Sequence, residues 1–384
     1  MPLITAVSVC SVRIPLDRVT SFSNRSVRVR DYCLVKVRSA DGLEGIGFCY
    51  VGTGGANIAR IAVEELLAPI LVSQDSTRID GLWHDMYRET LLHGRVGTVM
   101  RAISALDIAL WDLNARTAKL PLYKYLGHCR EDSVPAYASG GYYLDGKTAD
   151  DLGREVASFV TAGFRAVKIK VGRLSPAQEE ERIRAAREAI GPDVLLMLDA
   201  NNAWADLPTA LVYCKRYEKY DPYWIEEPFS PDDIENHASL SAFRIIPVAT
   251  GEIEAGRWRF KELLDQKAAM ILQTDAAVCG GISEWRRIAE IASSYGVTIS
   301  PHWFHDLHAH LVASASNARY VEYFPDDQVL NFRRLINRQM ETKDGTLMLS
   351  QSSGVGFEFE EAAVAKYSLN EGKQWVVLGK KTNA

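Results

Sequence analysis

The chain of 384 residues is longer than one typical domain, which favours one large domain and one smaller domain. Its 47% hydrophobic and 24% charged residues are ordinary for a globular protein, and its net charge of −5 gives no general attraction to nucleic acid or an anionic membrane. No apolar run reaches the ~18 residues of a membrane span, the N-terminus lacks a basic leader, and the six cysteines form no CxxC pair. We expect a cytoplasmic chain that forms a homo-oligomer and binds a small molecule rather than nucleic acid or membrane.

The first 130 residues read as strands followed by helices. Apolar–polar alternation predicts strands in ITAVSVCSVRI, DYCLVKVRS and GLEGIGFCYV, with a hairpin turn at Asp41 and Gly42. The polar segment 16–32 is interpreted as a loop region. Helical spacing follows in NIARIAVEELLAPILV, DGLWHDMYRETL and VMRAISALDIALWDLNARTA. This order predicts an α+β domain, which the irregular end of the chain is expected to rejoin.

From about residue 131 to 339 the pattern becomes a regular alternation of strands and helices. The strand candidates are VPAYAS, AVKIK, VLLMLD, YWIEE, VATGE, AMILQT, VTISP and YVEY. Amphipathic stretches such as AQEEERIRAAREAI and ISEWRRIAEIASSYG separate them. Eight such strands predict a (β/α)₈-like barrel with its site at the carboxyl ends of the strands. An open doubly wound sheet is the alternative.

Three acidic residues end successive predicted strands: Asp199, Glu226 and Glu252. Their spacing is 27 residues (226 − 199) and then 26 (252 − 226), as expected for equivalent points of a strand–helix repeat. Carboxylates at neighbouring strand ends converge, and three of them stay ionised together only beside a cation. An all-oxygen ligand set without Cys or His favours Mg²⁺ over Zn²⁺.

Two lysines and a histidine frame this triad. Lys168 and Lys170 lie two residues apart on the preceding strand and therefore face the same side. His302 and Asp275 end neighbouring strands, where a carboxylate–imidazole hydrogen bond would raise the basicity of the ring. An amine on one side of a metal-bound carboxylate and an imidazole on the other suit removal of the α-proton. Lys170 must then be partly neutral near pH 7, and both Lys168 and the metal would lower its pKa.

The chain resembles the enolase superfamily and, within it, the mandelate racemase subgroup. The matching motifs are KIK (168–170), LDAN (198–201), WIEEP (224–228), TGE (250–252), TDAAVCGG (274–281) and SPHWF (300–304). The fold that the resemblance implies is a modified TIM barrel, β(β/α)7β, over residues 131–339. An α+β capping domain would be formed by residues 1–130 and completed by residues 340–384.

The resemblance implies a role for each matching residue. Mg²⁺ would be held by three carboxylates, those of Asp199, Glu226 and Glu252. Lys170 would be one acid/base, and His302, oriented by Asp275, the other. The substrate carboxylate and α-substituent would be contacted by Lys168, Glu322, Asn201 and Ser139. Glu227 is expected to support the site rather than to ligate.

Removal of the α-proton would leave an enediolate whose fate the sequence leaves open. Loss of the β-hydroxyl, assisted by His302, would make a dehydratase of a sugar acid (aldonate or aldarate) that forms a 2-keto-3-deoxy acid. This outcome is commoner in the subgroup and is the interpretation we favour. The alternatives are a racemase or epimerase of a 2-hydroxy acid, and a metal-binding protein without catalysis. The muconate-cycloisomerase subgroup is disfavoured because it would place a second lysine where this chain has TDAAV.

Polar side chains of the first domain are candidates for further substrate contacts. Those in segment 16–32 are Arg18, Arg25, Arg28 and Arg30. His93 and Arg95 could serve similarly, and His305 follows the predicted base closely enough to reach the substrate. Guanidinium groups suit hydroxyls and would also suit a second carboxylate.

Overall fold

The structure of the protein, a computed structural model, describes residues 3–370 and 374–379. Residues 371–373 and 380–384 belong to the tail predicted to complete the capping domain, and they lie outside the described residues. Within the described ranges, no helix is both long and apolar enough to cross a membrane.

The N-terminal segment forms an antiparallel sheet followed by helices. Its strands are β1 (Ile4–Phe22), β2 (Arg25–Ser39) and β3 (Glu44–Tyr50). Its helices are α1 (Ala56–Ala62), α2 (Ala68–Leu71), α3 (Ile79–Glu89), α4 (Thr98–Thr117) and α5 (Leu122–Tyr125), with a π-helical segment Val63–Leu67 between α1 and α2. This confirms the predicted α+β class.

The region 16–32 is the distal half of the β1–β2 hairpin, so the prediction of a loop was wrong. β1 continues to Phe22, β2 begins at Arg25, and these two residues are register partners. The arginines obscured the pattern, but they alternate with apolar residues such as the buried Val27, which is a strand pattern. The tip of the hairpin reaches the barrel, where the Ser23 hydroxyl donates to the Asn201 carbonyl at 2.9 Å.

Helix α4 lies directly against β3 because two glycines leave room for it. A Cβ atom at Gly47 would lie 1.9 Å from the carbonyl oxygen of Ala105, and one at Gly45 would lie 2.1 Å from that of Ala109. These distances are far below a van der Waals contact, and the obstacle is backbone that cannot rotate away. The sheet and α4 are therefore packed as one unit, which supports the hairpin.

The alternation after residue 131 gives eight parallel strands. They are β4 (Ser133–Gly140), β5 (Ala166–Lys170), β6 (Leu195–Asp199), β7 (Pro222–Glu226), β8 (Val248–Thr250), β9 (Ile271–Leu272), β10 (Thr298–Ile299) and β11 (Val321–Tyr323). The helices between them are α6 (Ala149–Thr161), α7 (Pro176–Ile190), α8 (Leu207–Tyr217), α9 (Ile234–Phe243), α10 (Arg257–Asp265), α11 (Ala276–Cys279), α12 (Gly281–Ser294) and α13 (His305–Ser314). Three-ten segments lie at Glu218–Tyr220 and Asn331–Leu335.

The parallel strands follow one another around the sheet in chain order. β4 to β10 are successive neighbours, and β11 pairs with β4. A parallel bridge between Ile299 and Ala318 links β10 to the residues that precede β11. The strands thus follow one another in the order of a barrel, and the predicted modified barrel fold is confirmed. Short antiparallel strands β12 (Thr342–Lys343) and β13 (Thr346–Met348) extend the sheet from β4.

The chain then returns to the N-terminal sheet. Tyr32 on β2 donates its hydroxyl to Asn331 Oδ1 at 2.8 Å. After α14 (Glu361–Tyr367), the strand β14 (Val376–Gly379) pairs antiparallel with β1. These contacts join the sheet, and the hairpin it carries, to the segment that follows the barrel.

Apolar side chains fill the barrel interior below the strand ends. Tyr137, Met197, Trp224 and Ala249 pack together and are buried. Met197 and Trp224 each precede an acidic strand end by two residues, so they point to the same side of the sheet as those acids. This packing separates the polar groups at the strand ends from solvent below.

We predict that Gly47→Ala lowers the free energy of unfolding by about 1–3 kcal/mol or more, because the new methyl group must push α4 away from β3. Chemical denaturation followed by circular dichroism measures this. Gly54→Ala is the matched control, since the nearest atom to its Cβ, Arg13 Nη2, is 4.0 Å away. Equal stability of the two variants would contradict the direct contact between helix and sheet.

Candidate active site

Three carboxylates meet at the carboxyl ends of β6, β7 and β8. Asp199 and Glu226 are the last residues of β6 and β7 and are register partners. Glu252 follows β8, which ends at Thr250 rather than at the acid itself. Each of the three acids offers an oxygen within 4.8 Å of the others. Parallel register places successive strand ends side by side, so the constant spacing in the sequence becomes one cluster.

Two lysines of β5 contact this cluster. The Lys168 ammonium lies 2.6 Å from Glu226 Oε1, 2.7 Å from Glu322 Oε1 and 3.4 Å from Asp199 Oδ2. Lys170 forms an ion pair with Asp199. Both side chains are buried, so the ammonium groups have exchanged water for carboxylates.

Burial and neighbouring charges move the pKa values of the three carboxyls in different directions. Burial raises the pKa of Glu226 well above its usual value, and Asp199 adds to this. Burial alone would also raise the pKa of Asp199, but Lys170 and Lys168 outweigh it and hold that pKa well below the usual range. Burial raises the pKa of Glu252 to about 7. The cluster therefore holds more carboxyls than its lysines can neutralise.

The pKa of Lys170 differs from the sequence-based expectation. Burial has the largest single effect and lowers it, but Asp199, Tyr142 and Glu226 together raise the pKa above the usual value. The expectation considered the positive neighbours of the amine and omitted the carboxylate of Asp199. Lys170 can be partly neutral near pH 7 only if a cation other than its own ammonium compensates the charge of Asp199.

His302 and Asp275 form the predicted dyad. His302 Nδ1 lies 3.1 Å from Asp275 Oδ2 and donates to it, since a carboxylate oxygen can only accept. The other ring nitrogen, Nε2, lies 3.4 Å from Glu252 Oε1. Burial lowers the pKa of His302, but Glu252 and Asp275 raise it to about 9. The second oxygen of Asp275 accepts from the Ala277 backbone N–H at 2.7 Å, which fixes the carboxylate.

His308 also holds the dyad in place, a role that the sequence did not reveal. The Ala276 backbone N–H donates to His308 Nε2 at 3.0 Å, and His308 Nδ1 lies 3.3 Å from the Trp303 carbonyl. The buried imidazole thus joins the residue after Asp275 to the residue after His302. Burial lowers the pKa of His308 and so favours the neutral ring. A neutral imidazole can accept at one nitrogen and donate from the other, which both contacts require. In the sequence, this role was indicated only by the position of His308 in the motif HDLHAH, shortly after His302.

The other predicted residues lie at the same end of the barrel. Glu322 Oε2 accepts from the Trp303 backbone N–H at 2.9 Å. The buried side-chain oxygens that have no hydrogen-bond partner among the residues the structure describes include Asn201 Oδ1, Ser139 Oγ and Glu227 Oε1. Asn201 and Glu227 hold left-handed φ angles of 44° and 42°, a strained conformation typical of functional sites.

A cavity of about 280 Å³ lies where the hairpin covers the mouth of the barrel. Its barrel side is lined by Lys170, Asn201, Glu227, Glu252 and His302. Its capping side is lined by Phe22, Arg25, Arg30, Tyr50 and Arg101. The strands that carry the three carboxylates lie between those of Lys170 and His302, so the two groups border the cavity from different directions. Ser139 lines a neighbouring cavity instead.

Some of the remaining candidates for substrate contact line the cavity, and others do not. Arg25 and Arg30 line the cavity, whereas Arg18 forms a 2.6 Å ion pair with Asp326. Three others are exposed and lie outside the cavity lining: Arg28, His93 and Arg95. His305 is buried against Tyr323 and does not line the cavity either.

The carboxylate cluster fits a divalent cation. Glu252 Oε2 is buried and has no hydrogen-bond partner within the described ranges, although a carboxylate accepts readily. The donor atoms are all oxygens, which suits Mg²⁺ rather than Zn²⁺. The two positive charges of a divalent cation would balance the negative charge that remains after Lys168 and Lys170 are counted.

Two family models match the chain. "Mandelate racemase / muconate lactonizing enzyme, N-terminal domain" matches residues 4–127, and "Enolase C-terminal domain-like" matches residues 151–363. The chain therefore belongs to the enolase superfamily, in its mandelate racemase subgroup. The resemblance inferred from the motifs is confirmed.

Relatives of established name share most of the chain. L-talarate/galactarate dehydratase of Salmonella typhimurium is 37% identical over 331 residues, which are 86% of this chain and 81% of that protein. Arabinonate dehydratase of Saccharolobus solfataricus is 33% identical over 339 residues, 86% of this chain and 89% of that protein. The crystal structure of L-talarate dehydratase from Polaromonas sp. JS666, complexed with Mg and L-glucarate, is 31% identical with a TM-score of 0.88 and covers 99% of this chain and 100% of that chain.

We predict that Glu252→Gln weakens Mg²⁺ binding by about tenfold or more, because the amide removes a charge and one anionic donor from the cluster. Isothermal titration calorimetry with MgCl₂ measures the affinity. Glu254→Gln is the matched control, since that carboxylate faces Arg259 at 3.3 Å instead of the cluster. Unchanged affinity in the Glu252 variant would remove this residue from the ligand set.

Proposed function

We propose that the chain is a Mg²⁺-dependent dehydratase of a sugar acid, an aldonate or an aldarate. The observation that carries this proposal is the placement of Lys170 and His302 on one cavity, with the strands of the three carboxylates between them. The names of the relatives support the reaction class, since the Salmonella and Saccharolobus proteins are both dehydratases of sugar acids. A cytoplasmic location and assembly into a homo-oligomer remain predictions.

The first part of the proposal concerns binding of the reacting carboxylate. Asp199, Glu226 and Glu252 hold Mg²⁺, which when bound supplies positive charge to the substrate carboxylate as the α-proton leaves. The Lys168 ammonium, already beside the cluster, donates to the same carboxylate. Glu322 lies 2.7 Å from Lys168 and holds it in place. A hydrogen bond between Glu322 and the substrate carboxylate forms only if one of these two carboxyl groups is protonated.

The second part concerns the two proton transfers. Lys170, as a neutral amine, takes the α-proton, and the electrons of the C–H bond move toward the carboxylate to give an enediolate. His302 gives its Nε2 proton to the β-hydroxyl as the C–O bond breaks, so that water leaves and a double bond forms between the α and β carbons. The resulting enol tautomerises to a 2-keto-3-deoxy acid. Asp275 keeps Nε2 directed at the cavity by accepting from Nδ1.

Racemisation or epimerisation of a 2-hydroxy acid is the second candidate. It uses the same first step, after which the group on the other side of the substrate returns a proton to the α-carbon. Lys170 and His302 both line the cavity, so the arrangement supports this reaction as well. A metal-binding protein without catalysis is disfavoured, because it has no need of an acid/base pair on opposite sides of the metal cluster.

We predict that Lys170→Ala and His302→Asn each lower kcat by at least about 10²- to 10⁴-fold on an acid sugar, because each removes one proton-transfer group. Formation of a 2-keto acid, followed with semicarbazide, measures turnover. Mg²⁺ affinity is measured beside it and should not fall in either variant, since neither side chain is a metal ligand.

The matched control is His84→Asn, because His84 lies on α3 outside the cavity. Full activity in the Lys170 or His302 variant would overturn the acid/base assignment. Lost activity together with lost metal binding would place the defect in the metal cluster instead.

Exchange in deuterated water separates the two candidate reactions. For a dehydratase we predict keto product, with deuterium at the carbon that carried the lost hydroxyl. A racemase or epimerase would instead incorporate deuterium at the α-carbon of unconverted acid without forming keto product. Proton NMR of the recovered acids distinguishes these outcomes.

A further inference from the structure

The cavity is charged at both ends, but only its barrel end holds carboxyls. That end is lined by Glu227 and the metal-cluster residue Glu252 together with Lys170 and His302. Its capping end holds three arginines, and in the described part of the chain none of them lies within 4.0 Å of a carboxylate: Arg25, Arg30 and Arg101. The acid/base pair and the metal cluster at the barrel end suffice for a single carboxylate, so the arginines of the capping end need a separate explanation.

Arg30 is the most confined of the three arginines. Only 3% of its surface is exposed, and its guanidinium carbon lies 4.4 Å from the centroid of the Trp303 ring. Its Nη1 donates to the Tyr50 hydroxyl at 3.0 Å. Its Nε has no hydrogen-bond partner among the described residues. A buried cation with so few polar partners is costly unless an anion completes it.

Asp31, the nearest acid in the sequence, does not form an ion pair with Arg30. Asp31 follows it on β2, where successive side chains point to opposite faces. The Asp31 carboxylate is bound by Arg13, with 2.7 Å and 3.0 Å hydrogen bonds, and accepts from the Ala56 backbone N–H at 3.3 Å. The guanidinium of Arg30 is therefore available to a ligand in the cavity.

The surroundings of Arg30 hold it at a fixed place relative to the acid/base pair. Trp303, on which it stacks, is also stacked on the His302 ring, with centroids 5.3 Å apart. Tyr50, to which it donates, stacks on Trp303 from β3, with centroids 5.7 Å apart. Arg101, which also lines the cavity, donates to the Tyr50 carbonyl at 2.7 Å. Arg30 therefore borders the same cavity as His302 and Glu252, from the capping side.

We propose that Arg30 binds the second carboxylate of a dicarboxylic sugar acid, so that the substrate class of this enzyme is the aldarates rather than the aldonates. The proposal rests on the proposed function, because it assumes that the first carboxylate lies at the metal cluster. A planar guanidinium fork matches a carboxylate with two parallel hydrogen bonds, and its partners orient it before the ligand arrives. A neutral terminal hydroxymethyl group would leave this buried cation uncompensated.

The test compares pairs of acids that differ only at the far end. Galactarate, L-talarate and D-glucarate are each assayed with Mg²⁺ beside the hexonate of the same configuration. We expect wild type to favour a hexarate in kcat/KM by about tenfold or more. Arg30→Gln should raise KM for that hexarate about 10- to 100-fold and should change KM for the hexonate about twofold or less. Arg30→Lys, which keeps the charge but not the fork, should recover part of the loss.

Arg28→Gln is the matched control, because Arg28 is an exposed arginine of the same strand outside the cavity. It should leave both KM values unchanged. Circular dichroism and Tm establish that each variant is folded, and Arg30→Lys carries the test if Arg30→Gln does not fold. Equal wild-type activity on hexarate and hexonate, or equal losses on both in the folded Arg30 variants, would overturn the proposal while leaving the dehydratase function intact.

Binding separates failure of this proposal from failure of the proposed function. Calorimetry on the Lys170→Ala variant with Mg²⁺ measures hexarate and hexonate affinity without turnover. Tight hexarate binding that is lost when Arg30→Gln is added, combined with no turnover of any acid sugar by wild type, would sustain the anion site and overturn the dehydratase function. Neither turnover nor binding of any of these acids would overturn both.

Discussion

Carboxylates forced together by strand register are the constraint on which the rest of this molecule depends. Asp199 and Glu226 are fully buried at adjacent strand ends, and Glu252 brings a third carboxyl within 4.8 Å. At that separation and an effective dielectric constant of about 20, two ionised groups repel by roughly 3 kcal/mol. Strand register fixes the backbone of Asp199 beside that of Glu226, so these two acids cannot separate by a shift of the strands. Lysines and a divalent cation must compensate the repulsion, and the same compensation is what an enediolate requires.

The capping domain completes the site from the other side. Its long hairpin carries Phe22 over the barrel mouth, where the ring lies 5.8 Å from the Lys170 ammonium, and Tyr142 lies 5.2 Å from that ammonium. Aromatic walls of this kind exclude water and hold the amine in position. The glycines of β3 let α4 support the sheet from behind, so packing far from the chemistry positions the hairpin. Fold stability and the shape of the cavity are therefore linked through α4 and β3.

Residues of the barrel could be predicted well because two simple periodicities place them. Lys168 and Lys170 are two apart on one strand, and the acids recur once per strand–helix repeat, so local sequence determines their direction. The hairpin tip was not predicted, since arginines on alternate positions resembled a polar loop. The contribution of His308 depends on contacts across the chain with Ala276 and Trp303. No local pattern distinguishes the buried Arg30 from the exposed Arg28, because only the tertiary fold decides which of them meets Trp303.

The most direct test of the account is a crystal structure of the protein with Mn²⁺ in place of Mg²⁺ and an unreactive acid-sugar analogue. Mn²⁺ is visible by its anomalous scattering and prefers the same oxygen ligands. The account predicts one anomalous peak among the oxygens of Asp199, Glu226 and Glu252, with the α-carbon of the analogue between Lys170 Nζ and His302 Nε2. A peak elsewhere, or both nitrogens on the same face of that carbon, would contradict it.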